Sequence, residues 1–169
     1  MRLRPPACWC DTLPPHMKAI AYDTYGPLEA LALKDIDKPA VKGGEVLVRV
    51  RAAALQIGDV FAVKGAPYAM RMYTGLLKPK WGVPGFDLAG EVEAVGSGVT
   101  QFRPGDEVFG SSQGACAEYA VAREDQLVLK PASLTFEEAA AIPTALTALR
   151  GLRDVGKVQP GQKVLINGA

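Results

Sequence analysis

Short alternating segments cut apart by glycine and proline constrain this chain more than any other feature. After Gly43-Gly44 comes Glu45-Val46-Leu47-Val48-Arg49-Val50-Arg51, with Val46, Val48 and Val50 in one phase and the charged residues in the other. A period of two sends successive side chains to opposite faces, so the pattern predicts a half-buried strand. Phe86–Val95 reads the same way. Leu88, Gly90, Val92 and Ala94 alternate there with Asp87, Glu91 and Glu93, and Gly96-Ser97-Gly98 ends the run. Arg103-Pro104-Gly105-Asp106 carries proline and glycine at the two central positions of a type II turn. Shorter strands are expected over Lys18–Tyr22, Leu31–Ile36, Glu107–Phe109, Ala117–Val121 and Gln126–Leu129. Many short strands with such punctuation predict a curled, barrel-like β-domain.

The character changes after Pro131. Thr135 followed three residues later by Glu138 fits a capping box, and a helix should run from there to just before Pro143. Proline is favourable in a first helical turn, so Pro143 should open a second helix reaching Val155, with Leu146, Leu149, Leu152 and Val155 near one face. Gly156 should stop it. Lys163–Asn167 is a continuous apolar run of the kind found in a parallel strand covered on both faces, and it leads into Gly168. A strand entering a glycine turn is how a dinucleotide-binding unit begins.

With 169 residues the chain holds one ordinary domain and a piece of a second. Apolar residues at 49% and charged residues at 22% suit a soluble globular protein. A net charge of +1 gives no reason to expect nucleic acid or an anionic membrane as partner. No apolar run approaches the roughly 20 residues of a membrane span. The three cysteines, Cys8, Cys10 and Cys116, make no disulfide framework, so a reducing, cytoplasmic setting is expected. Cys8, Cys10 and His16 match no common zinc spacing. Residues 1–16, with Pro5, Pro6, Pro14 and Pro15, show no hydrophobic period and are expected to form a disordered leader.

Several separated motifs, in order, now carry a resemblance. They are Val83-Pro84-Gly85-Phe86-Asp87-Leu88-Ala89-Gly90-Glu91-Val92, then Val95-Gly96-Ser97-Gly98-Val99, then Phe102-Arg103-Pro104-Gly105-Asp106-Glu107-Val108-Phe109-Gly110. Ala117-Glu118-Tyr119 and Gly161–Ala169 continue the series. From Met17 onward the chain resembles the medium-chain dehydrogenase/reductase superfamily. The resemblance implies a mainly β, GroES-like partly open barrel over 17–142. The first helix and strand of an α/β Rossmann domain would follow, cut short, over 143–169. It also implies an NAD(P)-dependent oxidoreductase, with NADPH expected and NADH possible, and a homodimer left open.

Zinc-dependent members resemble this chain but carry Cys-x-x-Asp in the first active-site loop and Gly-His-Glu where this chain has Gly85-Phe86-Asp87. Here the loop is Leu55-Gln56-Ile57-Gly58-Asp59, so Gln56 replaces the thiolate and Phe86 the imidazole. An amide is a poor ligand and a benzyl group is none, so no metal is expected. Without a Lewis acid to stabilise an alkoxide, the accessible chemistry is hydride addition to an acceptor that is already electrophilic. Quinones and α,β-unsaturated carbonyls qualify, which points to the quinone oxidoreductase-like branch. Gln56, Tyr68 and Tyr73 are the candidate catalytic residues, and Thr147, Asn167 and Gly168 the candidate cofactor residues. Asp59 reads as structural. The chain by itself is expected to be inactive, and two alternatives stay open: a non-catalytic fragment acting only as a GroES-like binding or interaction module, and a parent alcohol dehydrogenase or carbonyl reductase.

Overall fold

The computed structural model describes residues 16–80 and 82–167, apart from the Tyr73 side chain. The leader expected over 1–16 therefore lies outside the described residues except for His16, which begins the first strand. That strand, β1 (His16–Ala21), pairs antiparallel with β2 (Ala32–Asp37), from His16 opposite Asp37 to Ala21 opposite Ala32. The remaining strands are β3 (Glu45–Ala54), β4 (Asp87–Val95), β5 (Glu107–Ser111), β6 (Tyr119–Arg123) and β7 (Leu127–Leu129). They form one antiparallel sheet in the order β6-β3-β4-β5-β7. A bridge between Ala19 and Ala117 ties the small ribbon to the large sheet, backed by Ile20 N–H donating to Cys116 O (2.9 Å). The sheet curls without closing, which is the partly open barrel expected.

The alternating runs build the interior. Val46, Val48, Leu88, Val92, Val108 and Leu127 are buried together, with Phe102 capping them. Opposite residues on the outer face pair by charge: Arg49 stands in register with Glu91, their side chains 2.7 Å apart. Gly105 adopts φ +94 and Asp106 N–H donates to Arg103 O (3.1 Å), the type II turn read from the sequence.

β4 departs from simple alternation. Its first four residues, Asp87 to Gly90, are all buried, because a helix covers the second face of the sheet there. That helix, α3 (Phe136–Arg150), sets Ala139 and Ala140 against Ala89 and Phe109. Small side chains let helix and strand approach closely. The capping box is present: Glu138 N–H donates to Thr135 Oγ1 (3.2 Å) and Thr135 N–H to Glu138 Oε2 (2.9 Å).

Pro143 does not start a second helix. It lies inside α3, which runs on to Arg150 and then through a wider turn over Gly151–Val155, with Gly156 N–H donating to Gly151 O (2.8 Å). Proline forfeits one ladder bond, but the helix is anchored on both sides of it. Ala139 and Ala140 sit in the core before it, and Thr144 bonds into the sheet after it. Gly156 does end the turn, yet the left-handed residue is the next one, Lys157 (φ +49).

Residues 163–167 follow in the expected order but make no ladder, because no described strand lies beside them. Leu165 is 94% exposed there, and Leu146, Leu149, Leu152 and Val155 also face outward. No helix among the described residues is long and apolar enough to cross a membrane.

Candidate active site

The Leu55–Asp59 segment, expected as a loop, is the start of a helix. Gln56 caps α1 (Ile57–Lys64), which ends at Gly65 in the left-handed conformation (φ 58). Asp59 in its first turn is buried, and its two oxygens hold two different segments. Oδ2 accepts from Gln56 N–H (2.8 Å) and Oδ1 from Gly85 N–H (2.9 Å). Gly85 lies just before β4 with φ +102, and a Cβ there would come within 2.8 Å of the Cys116 nitrogen. One carboxylate thus binds the start of α1 to the start of β4. Burial pushes the Asp59 carboxyl above its ordinary range, the backbone donors from Gln56 and Gly85 oppose that, and neighbouring Asp87 adds to it. Burial and then Asp59 likewise push the Cys116 thiol up, which disfavours thiolate.

This join frames a cleft of about 310 Å³. Gln56 from α1 and Phe86 and Asp87 from the head of β4 form one side. Ser111, at the end of β5, and the following Ser112 and Gln113 form the next. Pro143, Thr144 and Thr147 of α3, with Gln126, complete it. Asp87 is buried at the bottom of this group, where it accepts from Ser111 Oγ (3.2 Å) and from Thr144 Oγ1. Thr144 and Thr147 are one helical turn apart, and both border the cleft.

The sequence-derived candidates divide. Gln56 and Thr147 border the same cleft, and Phe86 faces it with them, so the two positions compared with zinc ligands do meet in space. Among the described residues no group of three or more His, Cys, Asp or Glu is placed to hold a metal. Tyr68 does not border the cleft. It is 78% exposed, with the Arg71 guanidinium 4.9 Å from its ring centroid and Tyr25 at 4.6 Å on that same guanidinium. Tyr73 belongs to the short helix α2 (Arg71–Thr74), and its side chain lies outside the described residues. Asn167 is exposed and does not border the cleft, and Gly168 lies outside the described residues.

Asp87, Ser111, Ser112 and Thr144 escaped the sequence reading. Asp87 had left a signal, being the one acid at the inner end of a strand otherwise flanked by apolar residues. Thr144 had left another, a hydroxyl one helical turn from Thr147.

Comparison with known proteins agrees with this architecture. The profile of the alcohol dehydrogenase GroES-like domain matches residues 42–132, more than half of the chain. The 2-methylene-furan-3-one reductase of Solanum lycopersicum is 36% identical over 169 residues, covering 93% of this chain and 42% of that protein. A chloroplastic NADPH-dependent alkenal/one oxidoreductase of Arabidopsis thaliana is 36% identical over 171 residues, covering 94% of this chain and 42% of that protein. The solved quinone oxidoreductase from Coxiella burnetii superposes with a TM-score of 0.76 at 34% identity, over 86% of this chain and 47% of that one. The chain belongs to the alcohol dehydrogenase GroES-like domain family, within the medium-chain dehydrogenase/reductase superfamily. It spans under half the length of these relatives.

Proposed function

We propose that this chain forms one wall of the active site of an NADPH-dependent, zinc-independent oxidoreductase that reduces quinones or α,β-unsaturated carbonyls, working in the cytoplasm. The observation that carries the reading is the chemistry of the cleft wall. Gln56 and Phe86 stand on it with neutral hydroxyls and amides, and its buried acid, Asp87, is already engaged by Ser111 and Thr144. A wall of this kind orients and donates hydrogen bonds; it has no thiolate or imidazole to grip a divalent ion. The NADPH-dependent and quinone-reducing relatives support the same conclusion.

A bound reduced nicotinamide supplies hydride. Thr147 would hold the nicotinamide end beside the cleft, and Asn167 and Gly168 would lead toward its phosphates. Gln56 orients the acceptor, and the Phe86 ring excludes water from the reacting atoms. Tyr68, exposed at the surface in the 65–80 segment, would reach an acceptor only by movement of that segment, and Tyr73 of the same segment is kept as a candidate. A neutral acceptor suits this setting, since an anion would meet the buried Asp87.

The experiment is nicotinamide oxidation by the full-length enzyme that contains this chain, followed by absorbance, with menadione and with methyl vinyl ketone, before and after exhaustive chelation. Turnover with NADPH that survives chelation is the expected result. Activity lost on chelation and restored only by zinc would overturn the reading. Acceptor binding without turnover would favour a non-catalytic module instead.

A further inference from the structure

Helix α3 reaches the cleft through a break in its own ladder. Pro143 has no N–H to give the carbonyl of Ala139, so that bond does not hold the two halves of the helix to one direction. The first half is seated by Ala139 and Ala140 in the core. Beyond Pro143 no residue of α3 is buried. Thr144, next in the chain, donates through Oγ1 to Asp87 Oδ2, and among the described residues this is the only side-chain hydrogen bond from residues 144–150 to the sheet. Asp87 makes a firm post for it. It is 3% exposed at the head of β4, directly after Phe86, and its other oxygen, Oδ1, accepts from Ser111 Oγ on β5 (3.2 Å). One carboxylate fastens the helix to two strands.

We propose that Asp87 is a positioning residue: by holding Thr144 just past the Pro143 gap, it sets Thr147 against the part of the cleft that carries Gln56 and Phe86. The inference rests on the proposed reading of the cleft as a hydride-transfer site with Thr147 at the nicotinamide end. Thr147 follows Thr144 by one helical turn, so a change in the direction of the second half carries both residues together. Gln56 and Phe86 do not move with it, since Asp59 ties the start of α1 to Gly85. The distance from hydride donor to acceptor is therefore fixed where Thr144 meets Asp87. Both carboxylate oxygens already accept a hydroxyl, so Asp87 acts by place and not as a base. Transfer needs the reacting atoms within about 3 to 3.5 Å, and a displacement of about 1 Å can slow it by roughly a hundredfold.

The test is single-turnover oxidation of NADPH by menadione and by methyl vinyl ketone, in the full-length enzyme that contains this chain. That rate constant belongs to folded, loaded enzyme, so a variant that only lowers the folded fraction leaves it unchanged. Thr144→Val keeps the shape and removes the donor, whereas Thr144→Ser keeps the donor. Thr144→Val and Asp87→Asn should each slow the step on the order of tenfold with both acceptors, while Kd for NADPH stays near its wild-type value. Thr144→Ser should keep the wild-type rate. The double variant should be no slower than Asp87→Asn alone, because both changes break one link. If Asp87→Asn does not fold, the two Thr144 variants still decide. A wild-type rate constant in Thr144→Val, or a loss in Thr144→Ser as large as in Thr144→Val, would overturn the inference and leave the proposed function standing. A wild-type enzyme that oxidises NADPH with neither acceptor would remove both.

Discussion

Strand β4 passes through two regions of opposite character within nine residues. On one face Leu88 and Val92 enter an apolar interior with Val46, Val48 and Val108. At its head, buried Asp87 accepts from Ser111 and Thr144, and the neighbouring Gly85 donates to buried Asp59. The first region tolerates any side chain of suitable size and shape, because dispersion and water exclusion are non-directional. The second is held by directed bonds, each needing its partner, so a conservative change there is not conservative. Shape sets the barrel and pairing sets the cleft.

Four measurements can break or sharpen that contrast. Leu88→Ala should have the largest effect, about 3 kcal/mol of lost stability in urea unfolding, since a fully buried side chain leaves a cavity. The fold of the cleft should survive it. Asp59→Ala should cost about 2 kcal/mol by the same assay, because the amides of Gln56 and Gly85 both lose their acceptor. If Asp59→Ala were neutral while Leu88→Ala were not, directed bonds would not be what holds the cleft. Thr135→Ala should cost about 1 kcal/mol by removing the cap of the helix that forms the cleft's third side.

The smallest effect is a pH slope. Burial raises the Asp59 carboxyl above its unfolded value, so the folded chain binds that proton more readily than the unfolded one. The group's contribution is therefore complete below the unfolded pKa and is lost as pH rises from about 4 through the folded pKa. Wild type should lose urea midpoint with rising pH across that window relative to Asp59→Asn. An identical slope in the two proteins would mean the carboxyl is not displaced upward.

Legibility in the sequence followed the same division. Periodicity located β3 and β4, and turn chemistry at Arg103–Asp106 and the cap at Thr135 were read correctly, because each is a local pattern with a local cause. Helix α1 is not legible in the sequence although Gly65 marks its end, since Leu55–Asp59 reads as a loop. Pro143 misled for a physical reason: propensity opposes proline in a helix interior, but contacts on either side of it outweigh one lost bond. Gln56 and Thr147 were placed in the cleft by motif alignment. Ser111 and Ser112 also border it and belong to no such motif, because their place there comes from the pairing of β5 with β4. Tyr68 was favoured for its chemistry, and the fold sends it to the surface beside Arg71.

Asp59 works as a caliper. With one jaw closed on Gln56 and the other on Gly85, a single carboxylate fixes the spacing of Gln56 and Phe86 along that side of the cleft. That spacing cannot change without breaking one of the two bonds, whereas in the 65–80 segment Leu76 and Leu77 lie open to solvent.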